Sequence, residues 1–265
     1  MKIITKENRA LLLELVRTDF KLRYQSSVLG YLWSLLRPLF LFVILYFVFV
    51  NFLKIGQDVP HFPVYLLLGI VLWNFFVEMT MQSLGSIVGR GDLIRKIKIP
   101  RWIIVFSSSI SASINLLLNL LVIVVFLLVN GVSIRASILW FPVDLLQIYV
   151  FALGVSFFLA AAFVKFRDIS YIWEVLIQAG FYATPILYPV SKITDLNIQK
   201  LLFMNPLAVA IQNARFHVVT EKAITAHERF NGGWYAMIPV ALTIVVFVGG
   251  VSYFRSQSKS FAENI

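Results

Sequence analysis

The sequence predicts an all-α integral membrane protein with six transmembrane helices. Three observations carry that prediction. Of the 265 residues, 60% are hydrophobic and only 14% are charged, where a soluble domain averages about 45–50% apolar and about 25% charged. Mean hydropathy is +0.85. Six separate runs reach the roughly 20 apolar residues that a spanning helix requires. No hydrophilic block between them is long enough for a soluble domain, so 1–265 reads as a single transmembrane domain. The absence of cysteine rules out disulfides, thiolate metal sites and a Cys nucleophile. His61, His217 and His227 are too scattered for metal-ligand spacing. The N-terminus has no short apolar core with a small-residue cleavage site, so no cleaved signal peptide is expected.

The elements follow in chain order. Residues 1–28 form a polar lead-in, and 7–24 (ENRALLLELVRTDFKLRY) are too charged to span. At 100° per residue, Glu14, Arg17, Thr18 and Lys21 share one arc, while Leu11, Leu12, Leu15, Val16, Phe20 and Leu22 fill most of the rest. That pattern suits a helix in the membrane interface or against a partner; a solvated arm is the plainer alternative. Span one covers about 29–53 and is interrupted by Arg37 before Pro38, a residue whose surroundings the sequence leaves open. Span two covers about 63–84, span three 103–129, span four 138–164 and span five 169–188. Between spans two and three, GRGDLIRKIKIPRW (89–102) holds five of the 23 Lys and Arg residues, and its Leu93, Ile94, Ile97 and Ile99 predict a short helix burying one face. The loop 189–234 contains LLFMNPLAVAIQNARFHVV. Asn205 before Pro206 is a helix-start signal, so a helix is predicted from Pro206 to about Val219, either re-entering the outer bilayer surface or lying on it as an ordinary surface helix. Span six covers 235–254 and the tail 255–265.

Charge fixes the expected orientation. Six spans put both termini on one side, together with Lys2, Lys6, Arg9, Arg17, Lys21, Arg23, Arg37, the five basic residues of 89–102, Lys165, Arg167, Arg255 and Lys259. The opposite side carries Lys54, Arg135 and five more within the long loop 189–234. The positive-inside rule then places both termini, and the basic knot, in the cytoplasm. A nucleic-acid patch is excluded because the basic residues flank membrane spans.

No G-x-x-x-x-G-K-[ST] phosphate loop, no G-x-S-x-G elbow and no H-E-x-x-H occurs. The chain reads as a non-enzyme whose energy, if it moves a substrate uphill, comes from elsewhere. Polar residues inside spans either glue helices together or serve function. Asn74, Glu78 and Gln82 stand at i, i+4, i+8 in span two; Glu174, Gln178 and Tyr182 repeat that spacing in span five; Ser108, Ser111, Asn115 and Asn119 stripe span three. The two carboxylate stripes predict a lined or gated passage as readily as helix-to-helix hydrogen bonding; the span-three stripe fits the latter better. Tyr46 and Phe49 in span one and Phe181, Tyr182 and Tyr188 in span five are candidates to face a conduit, where an aromatic face suits the C–H face of a sugar ring. Contact with lipid is the competing role.

Taken together, YQSSVLGYLWSLLRPL after an amphipathic helix, the basic DLIRKIKIPRW, FRDISYIWEVLIQAGFYATPILYP and NPLAVAIQNARF resemble the membrane subunit of type-2 ABC exporters, over essentially the whole chain. The resemblance is to the polysaccharide branch, which exports lipid-linked O-antigen, capsule, teichoic acid or related glycans across the bacterial cytoplasmic membrane. It implies a homodimer with two copies of a separate cytoplasmic ABC ATPase that binds ATP and Mg, and no cofactor in this chain. It implies a coupling element of Asp92, Leu93, Arg95, Lys96, Lys98, Pro100 and Arg101, and an interface helix with Glu14, Arg17 and Lys21 on its cytoplasmic arc. Phe166, Arg167 and Asp168 match the motif before span five, where Arg167 is expected to pair with Asp168 or Glu174 as a gate. Asn205, Pro206 and Arg215 match an external helix, with Arg215 greeting an anionic group at the exit or snorkelling to headgroups. A drug or lipid exporter permease of the same superfamily is the competing identity. A membrane-embedded transferase would need clustered acidic or His groups on one face, which the sequence lacks.

Overall fold

The computed structural model describes residues 6–24, 30, 32–96 and 99–261. The regular structure among these residues is all helical, with no strand among them. The leading helix α1 (Lys6–Tyr24) is followed by α2 (Leu32–Tyr46), which runs on as a π-helical turn over Phe47–Phe52. Then come α3 (Phe62–Ser86), the short α4 (Gly91–Lys96), α5 (Trp102–Val129), α6 (Phe141–Lys165) and α7 (Ile169–Ala183). Three small helices, α8 (Leu196–Leu202), α9 (Pro206–Val218) and α10 (Ala226–Arg229), precede α11 (Ile238–Gln257).

Five helical segments are long and apolar enough to cross a membrane: Leu32–Phe52, Phe62–Ser86, Trp102–Val129, Ala136–Lys165 and Trp234–Ser260. The expected span 169–188 is shorter than the sequence predicts. Its helix ends at Ala183 because Thr184 precedes Pro185, which drives Thr184 to an extended backbone (φ −90°, ψ 137°). Fifteen residues make about 22 Å of helix, against a hydrocarbon core of about 30 Å.

Helix α3 is the centre of the bundle. Most of its residues from Val64 to Phe76 are buried, whereas α2 and α7 leave large apolar faces exposed. Around α3 pack α2, α5, α6 and α9, and α11 lies against α6. The α6–α11 crossing is set by two glycines. A Cβ on Gly250 would stand 2.0 Å from the carbonyl oxygen of Gly154, so only hydrogen fits there. Such small-residue contacts let membrane helices approach backbone to backbone. Helix α1 turns the predicted apolar face inward: Leu15 and Val16 are buried and α5 lies against it, while Glu14, Arg17 and Lys21 face out. The α6–α11 contact gives a direct test. Gly250→Val should destabilise the protein by about 1–3 kcal/mol through overpacking, read as a lower melting temperature of the detergent-solubilised chain, whereas Gly249→Ala, where an added Cβ meets nothing within 4 Å, should not.

Candidate functional site: a polar groove within the apolar spans

The three polar stripes converge. A cavity of about 740 Å³ lies between α2, α3, α5 and α7. From α3 it takes Asn74, Glu78 and Gln82; from α5, Asn115 and Asn119; from α7, Glu174 and Gln178. Helix α2 adds Trp33, Ser34 and Arg37. Arg37, whose surroundings the sequence left open, therefore belongs to this groove.

The groove is organised around the Glu78 carboxylate. Gln82 Nε2, one helical turn on, donates to Glu78 Oε1 at 2.8 Å, and Asn115 Nδ2 donates to the same oxygen from α5. Asn119 Nδ2 donates to the Asn115 carbonyl at 2.8 Å and to the Ser34 carbonyl of α2 at 3.3 Å. One chain of amides thus ties α2, α5 and α3 together at membrane depth. On α7, Trp173 Nε1 donates to Thr80 Oγ1 at 3.2 Å, fixing that helix to α3. The span-three stripe divides. Ser108 and Ser111 return their hydroxyls to their own helix, to the Ile104 carbonyl at 3.4 Å and the Ser107 carbonyl at 3.1 Å, while the two asparagines enter the groove.

The five aromatic candidates do not line it. Tyr46 sits against Phe42 with ring centroids 5.6 Å apart, and Phe49 lies in the π-helical turn beyond. Phe181 packs on Trp73 at 5.9 Å and on Tyr182 at 5.5 Å, farther along α7 than the groove residues. Tyr188 donates to the Tyr182 carbonyl at 3.1 Å. The aromatics that do line the groove are Trp33 and Phe75, which the sequence reading had not singled out.

At one end of the bundle, the basic knot forms α4. Asp92, Arg95 and Lys96 are exposed, Ile94 is buried and Leu93 is half-buried, so the predicted short helix with one buried face is present. Pro100 and Arg101 are half-buried, and Arg101 lies over the Phe261 ring at 5.9 Å. Lys98 lies outside the described residues. Arg90 is turned inward: it pairs with Asp19 of α1 and donates from Nη1 to Ser107 Oγ at 3.2 Å. Glu14 and Arg17 form a loose exposed pair at 4.0 Å. The expected gate pair is not formed. Arg167 stacks on Phe163 at 5.2 Å and makes no ion pair with Asp168 or Glu174 among the described residues, and Glu174 lines the groove instead. The physical reason is local: the last turn of α6 offers an aromatic face directly beneath the guanidinium.

At the other end, Asn205 Oδ1 caps α9 by accepting from the Leu207 amide at 3.0 Å, with Pro206 at the first helical position. Arg215 is not at an exit and does not snorkel. Its side chain is fully buried. Nε donates to the Tyr65 carbonyl at 3.0 Å, Nη1 to the Pro185 carbonyl at 2.5 Å and Nη2 to the Ile186 carbonyl at 2.7 Å, and the guanidinium lies 3.8 Å over the Tyr65 ring. Space for it exists because residue 69 is glycine: a Cβ there would stand 2.2 Å from Nη2. His217 and Asp144 pair at 2.7 Å, and Arg135 donates from Nη2 to the Phe216 carbonyl at 2.8 Å, so the last turn of α9 is also held to α6 and the segment before it; Arg135 also pairs with Glu221, just past α9, at 2.9 Å.

A helical bundle with a polar groove cut into its apolar spans is the architecture of an integral membrane transport protein. The model of the ABC-2 type transporter family matches residues 10–217, and the chain belongs to that family. It is 30% identical over 258 residues to the O-antigen export system permease protein RfbA of Myxococcus xanthus, covering 97% of this chain and 96% of that one. A Klebsiella pneumoniae protein of the same name is 31% identical over 258 residues, covering 96% and 94%. Family membership makes this chain a transport subunit that works with an ABC ATPase subunit.

The Arg215 anchor yields a prediction about stability. Arg215→Gln removes the guanidinium donors to the buried carbonyls of Pro185 and Ile186, which lie outside any helix, and should cost about 3 kcal/mol. Gly69→Ala should destabilise through steric displacement of the same guanidinium. Both are read as lowered melting temperatures of the purified chain; an unchanged melt in either would remove Arg215 from its anchoring role.

Proposed function

We propose that this chain is the permease subunit of an ATP-driven exporter that moves a lipid-linked polysaccharide across the bacterial cytoplasmic membrane. The observation that carries the reading is similarity along nearly the full length to two O-antigen export permeases, joined to a polar groove that four spanning or near-spanning helices build. Drug export by the same superfamily is not favoured, because both relatives are named as O-antigen export permeases and match this chain over nearly their whole lengths.

The working assembly in this proposal is a homodimer of the permease with two ABC ATPase subunits, both termini and α4 lying on the cytoplasmic side. Helix α7, with the segment that follows it, serves as the sixth crossing. ATP and Mg act on the partner; this chain supplies the passage. The exposed Asp92, Arg95 and Lys96 of α4 offer the partner a charged docking face, and buried Ile94 transmits its displacement into the bundle. Because Arg90 holds α1 and α5 to the same loop, a push on α4 reaches those helices together. The groove then presents many replaceable hydrogen-bonding groups to a moving polymer, where a single tight site would stall it.

Reversing the charge at Arg95 and Lys96 tests this. Like charges set against each other at an interface cost several kcal/mol, so R95E/K96E should lower surface glycan by about tenfold or more, with the permease still present in the membrane at wild-type amounts. Purification of an active transporter without any ATPase subunit would end the exporter reading.

A further inference from the structure

We propose that Phe261, in the segment that follows α11, is a positioning residue for the coupling loop between α3 and α5. It holds Arg101, and with it the far end of that loop, against α11 and α6. This deepens the exporter reading above and rests on it.

The residues after α11 read in sequence as a cytoplasmic tail carrying Arg255 and Lys259. The structure keeps them on the protein. Helix α11 passes into a 3₁₀ turn over Ser258–Ser260. Ser258 and Ser260 return their hydroxyls to the Arg255 and Gln257 carbonyls at 2.9 and 3.0 Å, which tightens the turn. Phe261 comes next, and only 1% of it is exposed. Burial of a whole phenyl ring fastens this otherwise polar segment to the bundle. The ring stands edge-on to Phe254 of α11, with centroids 5.4 Å apart. Phe254 in turn meets Phe157 of α6 at 5.1 Å.

Arg101 completes the path. Its Cζ lies 5.9 Å from the Phe261 centroid, within the ~6 Å reach of a cation–ring attraction. Among the described residues it makes no ion pair that would draw it elsewhere. Its backbone is the joint between loop and span. The Pro100 and Arg101 carbonyls accept from the Ile103 and Ile104 amides at 3.0 and 3.2 Å, so α5 opens directly on this residue. The loop is therefore pinned twice. Arg90 fixes its near end to Asp19 of α1 and Ser107 of α5. Arg101 fixes its far end, through Phe261 and Phe254, to α11 and α6, the two helices that meet backbone to backbone at Gly250 and Gly154. With the first pin alone, a push on α4 would move α1 and α5 and leave the α6–α11 pair behind. The second pin carries it to that pair as well.

The test uses the whole transporter in the bacterium that makes it, with the chromosomal copy of this chain removed and variants supplied in its place. The host's own lipid-linked glycan is quantified at the cell surface. ATP hydrolysis is measured on the purified complex with the ATPase, and both are normalised to the amount of permease. The quantity read is surface glycan per ATP hydrolysed. A defect of stability alone removes assembled complexes and lowers both measurements together, whereas loss of positioning lowers their ratio. Phe261→Leu keeps apolar volume in the buried site and removes the ring face, and it should lower the ratio by about fivefold, the scale of a lost cation–ring contact. Arg101→Gln approaches the same contact from its half-buried side and should also lower the ratio. Adding Phe261→Leu to Arg101→Gln should lower it no further, as expected of two residues acting through one contact. An unchanged ratio in Phe261→Leu, or losses that add in the double variant, overturns the proposal and leaves the exporter reading standing. If removal of this chain leaves surface glycan unchanged, the exporter reading falls and the positioning role falls with it.

Discussion

The structure depends on one constraint: inside an apolar layer, each polar group must find its partner within the protein. Helix α3 is where that constraint is met twice. Near its start, the Tyr65 carbonyl and ring and the hydrogen of Gly69 receive the guanidinium of Arg215. Further along, Glu78 collects amide donors from Gln82 and from Asn115 of α5. The first cluster holds α9 and the chain after α7 against α3; the second holds α5, with α2 beyond it. A helix that is almost wholly buried thereby organises both ends of the bundle. Apolar packing alone would not fix the register, because lipid tails compete equally well for apolar side chains.

Much of this was legible in the sequence, and the pattern of success has a physical cause. Hydropathy found five of the expected spans because length and apolarity are local properties. The i, i+4, i+8 spacing of Asn74, Glu78 and Gln82 placed them on one helical face, and the same rule worked for Glu174 and Gln178. That these faces meet is tertiary information, and no single stripe contains it. The short α7 was foreshadowed by Thr184-Pro185, a helix terminator overridden in the reading by the apolar run around it. Arg215 failed for a different reason. A charged residue in an external loop reads as solvent-facing, and most of its partners are backbone carbonyls, which leave no trace in residue identity, beside Gln212 Oε1 and the Tyr65 ring. The one clue was Gly69, whose missing side chain is the hole the guanidinium fills. The aromatic candidates lie outside this groove: spanning helices carry aromatics for lipid-interface reasons as well, so type and depth did not separate Trp33 and Phe75 from the rest.

Charge is distributed by depth in a way that matches the proposed division of labour. The exposed basic groups of α4 stand at one end, where a partner of opposite charge can dock without desolvating them fully. Arg90, from the same run, is instead spent internally on Asp19 and Ser107, so the loop is fastened to α1 and α5. Exposed charges would recognise, and a half-buried pair would transmit. Within the groove the charges are fewer and interleaved with amides, an arrangement that suits passing contact rather than capture.

The groove also bears on what must lie outside it. Arg37 and Glu174 are both exposed in the single chain, and they sit on α2 and α7, the two helices whose apolar faces are also uncovered: Val43 and Ile44 on one, Val175 and Leu176 on the other. Bare lipid would cover the apolar residues well and the two charges badly, since an ionised side chain facing hydrocarbon is costly and ordinarily turns toward the protein interior or water. In the proposed homodimer, a second copy of the chain set against α2 and α7 would meet both demands. It covers the apolar faces and encloses the charges in a shared, hydrated space. The proposed homodimer is therefore the arrangement in which a half-open groove on each copy becomes one passage, and the short α7 at its wall leaves room at the far end, beyond Ala183, for that passage to open.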